Sequence, residues 1–281
     1  MQLDEFESRF KRAAREVFEY REVTYARVLL VTDLPADKGG SLAETVKGFG
    51  GVADDAEARV LDNSVFPGLS RILQELDDFK PDLIVSYRML NYKDKSQGYT
   101  LGVYIDILTQ ATSIPVMLLP SVEDAEFDAL VDHTDKVMVV ADHLQGDYRL
   151  IDQALPFTRG TGRLELVHIE EEQIFERYMS SIEKIPSISS QEARVEILET
   201  LLKEPADYIA SCVKDLEGRF PELSVESTVR LGGMLGEIKK LIDRSSVGLV
   251  VANTKDDQQL AMHGEAYALA VELRKIPLLL L

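Results

Sequence analysis

Cysteine is nearly absent from this sequence of 281 residues, in which Cys212 is the only one. A single cysteine excludes an intrachain disulfide and a cysteine-rich zinc site. Because Cys212 lies in an apolar stretch, we expect a buried, unreactive thiol. Uninterrupted apolar runs of about 18 residues are also missing, which excludes an ordinary membrane-spanning helix. The acidic, amphipathic start lacks the apolar core of a signal peptide, so we expect a cytoplasmic protein.

Positive charge is scarce as well. The chain has 31 Lys and Arg residues against 49 Asp and Glu residues, which gives a formal net charge of −18. Nonspecific binding to nucleic acid needs clustered basic side chains, and anionic membrane surfaces repel an acidic chain. We therefore expect no nucleic-acid partner and no membrane insertion. The simplest interpretation of the charge is a well-solvated acidic surface.

Patterns typical of metal sites and catalytic sites are missing too. The four histidines, His133, His143, His168 and His263, form no pair at i, i+4 spacing and no HExxH motif. No nucleophile elbow of the form G-x-S-x-G occurs. With 49 acids in the chain, a pair of carboxylates is no sign of acid–base catalysis. We predict no metal site and no catalytic residues.

Apolar runs and helical patterns alternate through the first part of the chain. Residues 1–25 are predicted to form an amphipathic helix, since Leu3, Phe6 and Phe10 recur at helical spacing. Runs that are apolar on both faces are typical of buried parallel strands, and strands that alternate with helices favour right-handed βαβ units. The predicted strands cover residues 27–33, 57–61, 81–86 and 114–119, and the predicted helices cover 69–79 and 101–112.

The second part of the chain repeats these features in the same order. Its first strand, at 136–142, ends on Asp142 as the strand at 27–33 ends on Asp33. The other matches are 247–252 with 82–86, the helix at 264–274 with the helix after Gly102, and 276–281 with 114–119. A repeat at domain length implies duplication. We predict an α/β fold of two Rossmann-like parallel-sheet domains in tandem, at 26–120 and 136–281, joined by an acidic linker at 121–135.

The two predicted domains differ in content. Between its first and penultimate strands, the second domain holds a strand at 163–168, helical sequence over 171–220 and a strand at 224–231. The first domain has room in the same interval for one strand and one helix. We therefore predict that the first domain is trimmed and that its ligand cleft is incomplete.

Two stretches of the second domain resemble the universal stress protein family. Residues 137–172, VMVVADHLQGDYRLIDQALPFTRGTGRLELVHIEEE, are similar to the family's opening of strand, aspartate, helix and a strand running into His-Val. Residues 236–281 resemble its final βαβ unit, whose last strand starts at a proline. The resemblance extends more faintly to residues 26–119. It implies a tandem stress-response protein with the fold of the adenine nucleotide alpha hydrolases.

The resemblance also implies where a nucleotide would lie. Nucleotide-binding members carry a loop of the form G-x2-G-x9-G-[ST] after the penultimate strand. Its glycines let backbone N–H groups approach the phosphates, and its last pair opens a helix whose N-terminus favours anions. The aspartate after the first strand faces the adenosine. By this resemblance, Asp33 and Asp142 are the candidate adenosine-binding residues.

The loop of this chain departs from the family pattern. Ala252 and Lys255 occupy the first two glycine positions, and Gly264 is followed by Glu265 where the family has Ser or Thr. A carboxylate at the start of the helix would repel phosphates by about 1–4 kcal/mol at short range. We therefore predict a degenerate nucleotide loop and no bound cofactor, with ATP or AMP as the alternative ligands.

The first functional hypothesis is a non-catalytic binding or regulatory protein. The alternatives are an ATP- or AMP-binding protein or weak ATPase of the same fold, and a cytoplasmic regulatory domain of a transporter. Residues 277–281 form an apolar strand that would be an aggregation liability if its edge were bare. We predict that the last strands of the two halves pair with each other as an intrachain pseudo-dimer, with a homodimer as the other assembly.

Overall fold

The computed structural model of the chain describes residues 18–62, 68–91, 100–121, 134–141, 149–158, 160–254 and 264–281. The first half contains β1 (Tyr25–Val31), α1 (Ala36–Lys47), β2 (Val52–Leu61), α2 (Leu69–Phe79), β3 (Leu83–Tyr87), α3 (Val103–Ala111) and β4 (Val116–Leu119). The second half contains β5 (Lys136–Val140), α4 (Arg149–Ala154), a 3-10 turn (Leu155–Thr158), β6 (Arg163–Glu171), α5 (Glu172–Ile182), α6 (Ser190–Arg219), β7 (Ser224–Gly232), α7 (Met234–Ser245), β8 (Leu249–Ala252), α8 (Gly264–Glu272) and β9 (Leu278–Leu280).

All nine described strands belong to one sheet, in the order β2-β1-β3-β4-β9-β8-β5-β6-β7. Every neighbouring pair is parallel except β4 with β9. The central strands are buried on both faces, as their continuous apolar sequences require. The predicted class, an α/β fold with Rossmann-like parallel sheets, is confirmed.

The two halves meet at the centre of the sheet, where β4 and β9 run antiparallel. Met117 lies opposite Leu279. On either side of this pair, Val116 lies opposite Leu280 and Leu118 lies opposite Leu278. This register is symmetric about the Met117–Leu279 pair, as a two-fold axis between similar halves requires. The predicted pairing of the last strands is therefore present, and the two half-sheets form a single continuous sheet.

The similarity between the two halves includes the hydrogen bonds at the ends of their strands. In the first half the Arg88 N–H donates to the Leu119 carbonyl at 3.2 Å, and in the second half the Thr254 N–H donates to the Leu281 carbonyl at 2.8 Å. The strand registers give the equivalent positions, which are Thr32 with Ala141, Ser86 with Ala252, Tyr87 with Asn253 and Arg88 with Thr254. In sequence, the next residues after the first pair are Asp33 and Asp142.

The halves are unequal at the two edges of the sheet. In the second half β7 pairs with β6 over nine residues, whereas β2 ends the sheet among the described strands. The first half is therefore shorter by one strand, as predicted. It nevertheless holds α1, a helix that the sequence analysis did not predict. A side chain at Gly39 would meet Val60 Cγ1 at 3.3 Å, so this glycine lets α1 approach β2 closely.

Arg88 joins the two halves inside the protein. Its side chain is 4% exposed. The guanidinium donates to the carbonyls of Ala270 (3.0 and 3.2 Å) and Leu273 (2.7 Å), at the C-terminal end of α8, and to Leu119 (3.2 Å). A cation at a helix C-terminus stabilises the carbonyl groups left without partners there. Arg88, a residue of the first half, thus holds the C-terminal end of a helix of the second half in place.

A second contact between the halves lies away from the sheet centre. The Tyr25 ring, at the start of β1, lies 6.1 Å from the Phe157 ring of the 3-10 turn, and its hydroxyl donates to Gln153 on α4. A Cβ on Gly50 would come within 2.7 Å of the Pro156 carbonyl. The halves therefore share one continuous hydrophobic core.

The helical sequence predicted at 171–220 forms the two helices α5 and α6. Only the C-terminal part of α6 reaches the core, through Ile209, Cys212 and Leu216. Burial raises the pKa of the Cys212 thiol to about 11, so it is protonated at neutral pH, in agreement with the expected unreactive thiol. Across the described helices, none combines the length and apolarity needed to cross a membrane.

Two predicted segments lie largely outside the described residues. Of the predicted helix at 1–25, only residues 18–25 are described, and residues 18–24 have no helical structure. Phe18 is nevertheless 2% exposed and belongs to the core. Of the predicted linker at 121–135, only residues 121, 134 and 135 are described. The domain boundaries that rest on these segments remain predictions.

Candidate functional site

In the first half, the carboxyl ends of β1 and β3 are joined by a hydroxyl group. Tyr87, the last residue of β3, is fully buried. Its hydroxyl donates to Asp33 Oδ1, and it accepts from the Asp33 N–H at 3.0 Å and lies 2.9 Å from Thr32 Oγ1. The candidate adenosine-binding aspartate is thus bound by a side chain of the protein itself.

The second oxygen of Asp33 is engaged as well. Asp33 Oδ2 accepts the backbone N–H of Asn91 at 2.9 Å. Asn91 adopts a left-handed backbone conformation with φ 56°, which asparagine tolerates better than most residues. Its side-chain nitrogen donates to the Tyr104 hydroxyl at 3.3 Å. Both carboxylate oxygens therefore point to partners within the first half.

The electrostatic state of Tyr87 fits this arrangement. Its pKa is raised above the usual value, first because the phenol is buried and then because it donates a hydrogen bond to Asp33. The phenol therefore remains a hydrogen-bond donor at every physiological pH. A nucleoside that needed the Asp33 carboxylate would have to displace this bond.

We expect Tyr87→Phe to lower the free energy of unfolding by about 1–3 kcal/mol, because buried groups at Thr32 and Asp33 lose their partner. Chemical denaturation measures the change. The matched control is Tyr104→Phe, which removes a hydroxyl from the half-buried side of the same cluster, and it should cost less than about 1 kcal/mol. Equal losses in the two variants would show that the Tyr87–Asp33 bond has no special role.

Helix α3 starts beside the cluster around Tyr87 and Asp33, and it contains an acidic residue of its own. Gly102 precedes α3 with φ 97°, a conformation that favours glycine. Asp106 lies in the first turn of α3, and burial raises the pKa of its carboxyl group. An acidic side chain near a helix N-terminus occupies the place where an anion would be favoured. Among the described residues of the first half, the start of α3 is therefore unfavourable for a phosphate group.

The second half is only partly described at the equivalent place. Ala252 ends β8 and is buried, and Asn253 stands where the first half has Tyr87. Asp142 and Lys255 lie outside the described residues, and of Gly264 and Glu265 only the backbone, at the start of α8, is described. The predicted degenerate loop thus remains a prediction. The structure places Asp33 and Ala252 in different halves.

His168 is the one described histidine of this region, near the end of β6. Its Nδ1 lies 2.9 Å from the Ala141 carbonyl, and its Nε2 lies 3.6 Å from Glu170 Oε2. The ring is buried at 6% exposure, so it joins the ends of β5 and β6. Within the described ranges, no cluster of three or more His, Cys, Asp or Glu side chains could hold a metal ion.

Sequence reasoning identified Asp33 but not its partners. In the sequence, Tyr87 is typical of an aromatic residue that extends a buried strand, and Asn91 is typical of a loop residue. The available signal was the pair of polar residues that follow β1, Thr32 and Asp33, together with a tyrosine at the end of β3, the strand that pairs with β1. Parallel strands bring such ends together at one edge of the sheet.

The fold is shared with solved structures of low sequence identity. A universal stress protein from Archaeoglobus fulgidus DSM 4304 matches with a TM-score of 0.54 and 14% identity, over 91% of this chain and 97% of that one. The fold is that of a universal stress protein. A putative universal stress protein from Pseudomonas aeruginosa UCBPP-PA14 matches at 0.52 with 12% identity, over 92% and 93% of the two chains.

A protein of unknown function from Pseudomonas aeruginosa PAO1 is similar to the same extent. It matches with a TM-score of 0.53 and 12% identity, over 92% of each chain. No protein-family model and no curated protein matches this sequence. At such low identity the likeness concerns the universal stress protein fold alone, and function has to be argued from the residues of the site.

Proposed function

We propose that this protein is a non-catalytic binding or regulatory protein of the universal stress protein type, with two tandem domains at 26–120 and 136–281. In this proposal its first-half nucleotide site is closed by groups of the protein itself, one side-chain hydroxyl and one backbone N–H. The observation that carries this proposal is the engagement of both Asp33 oxygens, by the Tyr87 hydroxyl and the Asn91 N–H. The single cysteine, buried as a free thiol, suits a reducing compartment such as the cytoplasm.

A nucleotide-binding second half is the alternative function. The observation in its favour is that Asn253 replaces Tyr87, so the phenol that binds the first-half aspartate has no counterpart in the second. Against it stands Glu265 at the start of α8, where a family member would have Ser or Thr. We therefore propose that the second half binds ATP and AMP weakly, if Mg²⁺ and nucleotide are supplied, and does not hydrolyse ATP.

Titration calorimetry with ATP and AMP tests the proposal. We expect no saturable binding to the intact protein at low micromolar concentration. Glu265→Ser should increase ATP affinity by roughly fivefold or more, because removing a carboxylate near the phosphates relieves about 1–4 kcal/mol of repulsion. The control is Glu272→Ser, which removes a carboxylate from the far end of the same helix and should leave the affinity unchanged.

Two results would contradict the proposal. The first is low-micromolar ATP or AMP binding to the unaltered protein that Gly264→Val abolishes. The second is steady release of phosphate from ATP and Mg²⁺, which would make the protein an ATPase.

A further inference from the structure

The chain enters the described structure over two helices of the second half. Phe18 is buried in the hydrophobic core. The Tyr20 ring lies 5.4 Å from the ring of Phe220, the residue that follows α6, in an edge-to-face arrangement. The Arg21 N–H donates to the buried carboxylate of Asp152 on α4 at 3.0 Å. Residues 18–21 therefore hold the chain against α4 and the C-terminal end of α6, although the strand that follows them, β1, belongs to the first half.

Residues 1–17, which lead to this point, have the sequence pattern of an amphipathic helix. Their apolar side chains recur at intervals of three and four residues, at Leu3, Phe6, Phe10, Ala14 and Val17. A helix of this size is marginal in water by itself, because most helical stability in proteins comes from packing of the apolar face. A helix over residues 1–17 therefore needs a surface that covers its apolar face.

Helix α6 has an apolar face that is only partly covered. Of its 30 residues, the three that are buried all lie within residues 209–216. Ile197, Leu201 and Tyr208 are spaced four and seven residues apart, so they share one face of the helix. Each of the three is half-buried. We call these three residues the α6 stripe, and it can accept further apolar contacts.

The α6 stripe borders a groove between α4 and α6. Leu150 and Ile151 of α4, with Tyr208 and Ile209 of α6, line a cavity there. Protein interiors are packed as densely as organic crystals, so the cavity means that the two helices do not fill the space between them. Asp152, which accepts the Arg21 N–H, directly follows Ile151, so residues 18–21 cross beside this groove.

The length of residues 1–17 fits the α6 stripe in one direction. Because Tyr20 lies at the C-terminal end of α6, a helix that precedes it either runs back along α6 or points away from it. At 1.5 Å per residue, such a helix is about 25 Å long, and Tyr208 and Leu201 lie about 18 and 28 Å from Phe220. A helix that runs back along α6 therefore passes Tyr208 and ends close to Leu201.

The charges of the two segments favour the same placement. Residues 1–17 contain four acids and four bases in a chain of net charge −18, so they escape the repulsion that a further acidic segment would meet. All four bases lie within residues 9–15, the part closest to Tyr20. Helix α6 contains seven acids and four bases. The basic part of residues 1–17 would therefore lie beside a helix of net negative charge.

We propose that residues 1–17 form a helix that packs along α6, in the same direction as α6, over the α6 stripe and the groove between α4 and α6. The occupant of this surface is thus the protein's own chain, held there by Phe18, Tyr20 and Arg21. The segment that precedes the first half covers helices of the second half.

Disulfide trapping tests this proposal, because the single native thiol, Cys212, is buried. In the variant Phe10→Cys with Ser211→Cys, the new thiols lie at similar distances from the Tyr20–Phe220 contact on adjacent helices, within reach of a disulfide. The control pair is Phe10→Cys with Ser70→Cys, since Ser70 is exposed on α2 of the first half. After mild oxidation, we expect the first pair to form an intramolecular disulfide roughly fivefold more often than the control, as measured by the mass of the joined peptides.

Equal yields from the two pairs would overturn the proposal. A disulfide that forms only between two chains would overturn it as well, because residues 1–17 of a second copy would then occupy the groove.

Hydrogen exchange provides a second test without added cysteines. In Phe6→Glu with Phe10→Glu, which places two charges on the apolar face, amides of residues 197–208 should exchange roughly tenfold faster or more, while those of α2 are unchanged. The control, Ser8→Glu with Arg12→Gln, changes the net charge by the same amount on the opposite face and should exchange as the unaltered chain does. Equal exchange in the two variants would show that residues 1–17 do not cover α6.

Discussion

Removal of residues 278–281 is expected to leave the protein insoluble. These residues include β9, which pairs with β4 on one side and with β8 on the other. Leu278, Leu279 and Leu280 are at most 2% exposed, and each buried leucine side chain contributes about 1.5–3 kcal/mol. The deletion also bares two apolar strand edges at the centre of the sheet, which are templates for aggregation. The soluble fraction after expression measures the effect.

The matched control for this deletion is Leu279→Met. The substitution conserves volume at the point where the two halves meet, so it should cost less than about 1.5 kcal/mol and leave the protein soluble. A soluble, monomeric deletion variant with an unchanged thermal unfolding midpoint would contradict the central role of β9. That result would mean that the Arg88 hydrogen bonds and the contact of Tyr25 with α4 and Phe157 hold the halves together without β9.

The central strands of the sheet could be predicted because protein covers both of their faces. A strand buried on both faces must be apolar at every position, and the runs ending at Asp33 and Asp142 meet that requirement. The Ile-Pro steps at 114–115 and 276–277 then placed the last strand of each half in the same position. Because an apolar last strand must be covered, the pairing of β4 with β9 followed from the sequence.

Helix α1 could not be predicted from the same pattern. Its sequence, ADKGGSLAETVK, holds two glycines and few apolar residues, and glycine lowers helix stability by about 1 kcal/mol. Only Gly39, Leu42, Ala43 and Val46 are buried. The helix forms because this narrow face packs on β2, where Gly39 fits against Val60. Such tertiary packing overrides propensity and is not visible in local sequence.

The candidate site was predictable only in part, for a related reason. Asp33 is marked by its position at the end of an apolar strand, but whether its carboxylate is free depends on where the Tyr87 hydroxyl points. That direction is set by the register of β3 against β1, which no single sequence displays. The engagement of the Asp33 carboxylate is therefore a property of the folded chain.

Arg88→Met is expected to lower the free energy of unfolding by about 3 kcal/mol or more. Methionine retains much of the length of the side chain, so the loss arises from the hydrogen bonds and not from a large cavity. The carbonyls of Ala270 and Leu273 would each lose the guanidinium donor, whereas the Leu119 carbonyl keeps the backbone N–H of residue 88. Each buried acceptor without a partner costs about 1–3 kcal/mol. Denaturation with guanidinium chloride measures the loss.

Arg274→Met provides the comparison, because it removes a guanidinium from the same end of α8. Arg274 is exposed, and its Nε donates to the Val271 carbonyl at 3.4 Å, where water can replace it. The loss should stay near 0.5 kcal/mol. If Arg88→Met costs no more than Arg274→Met, the buried guanidinium does not stabilise the junction. If it costs several times more, a side chain of the first half stabilises the helix that begins at Gly264 in the second half.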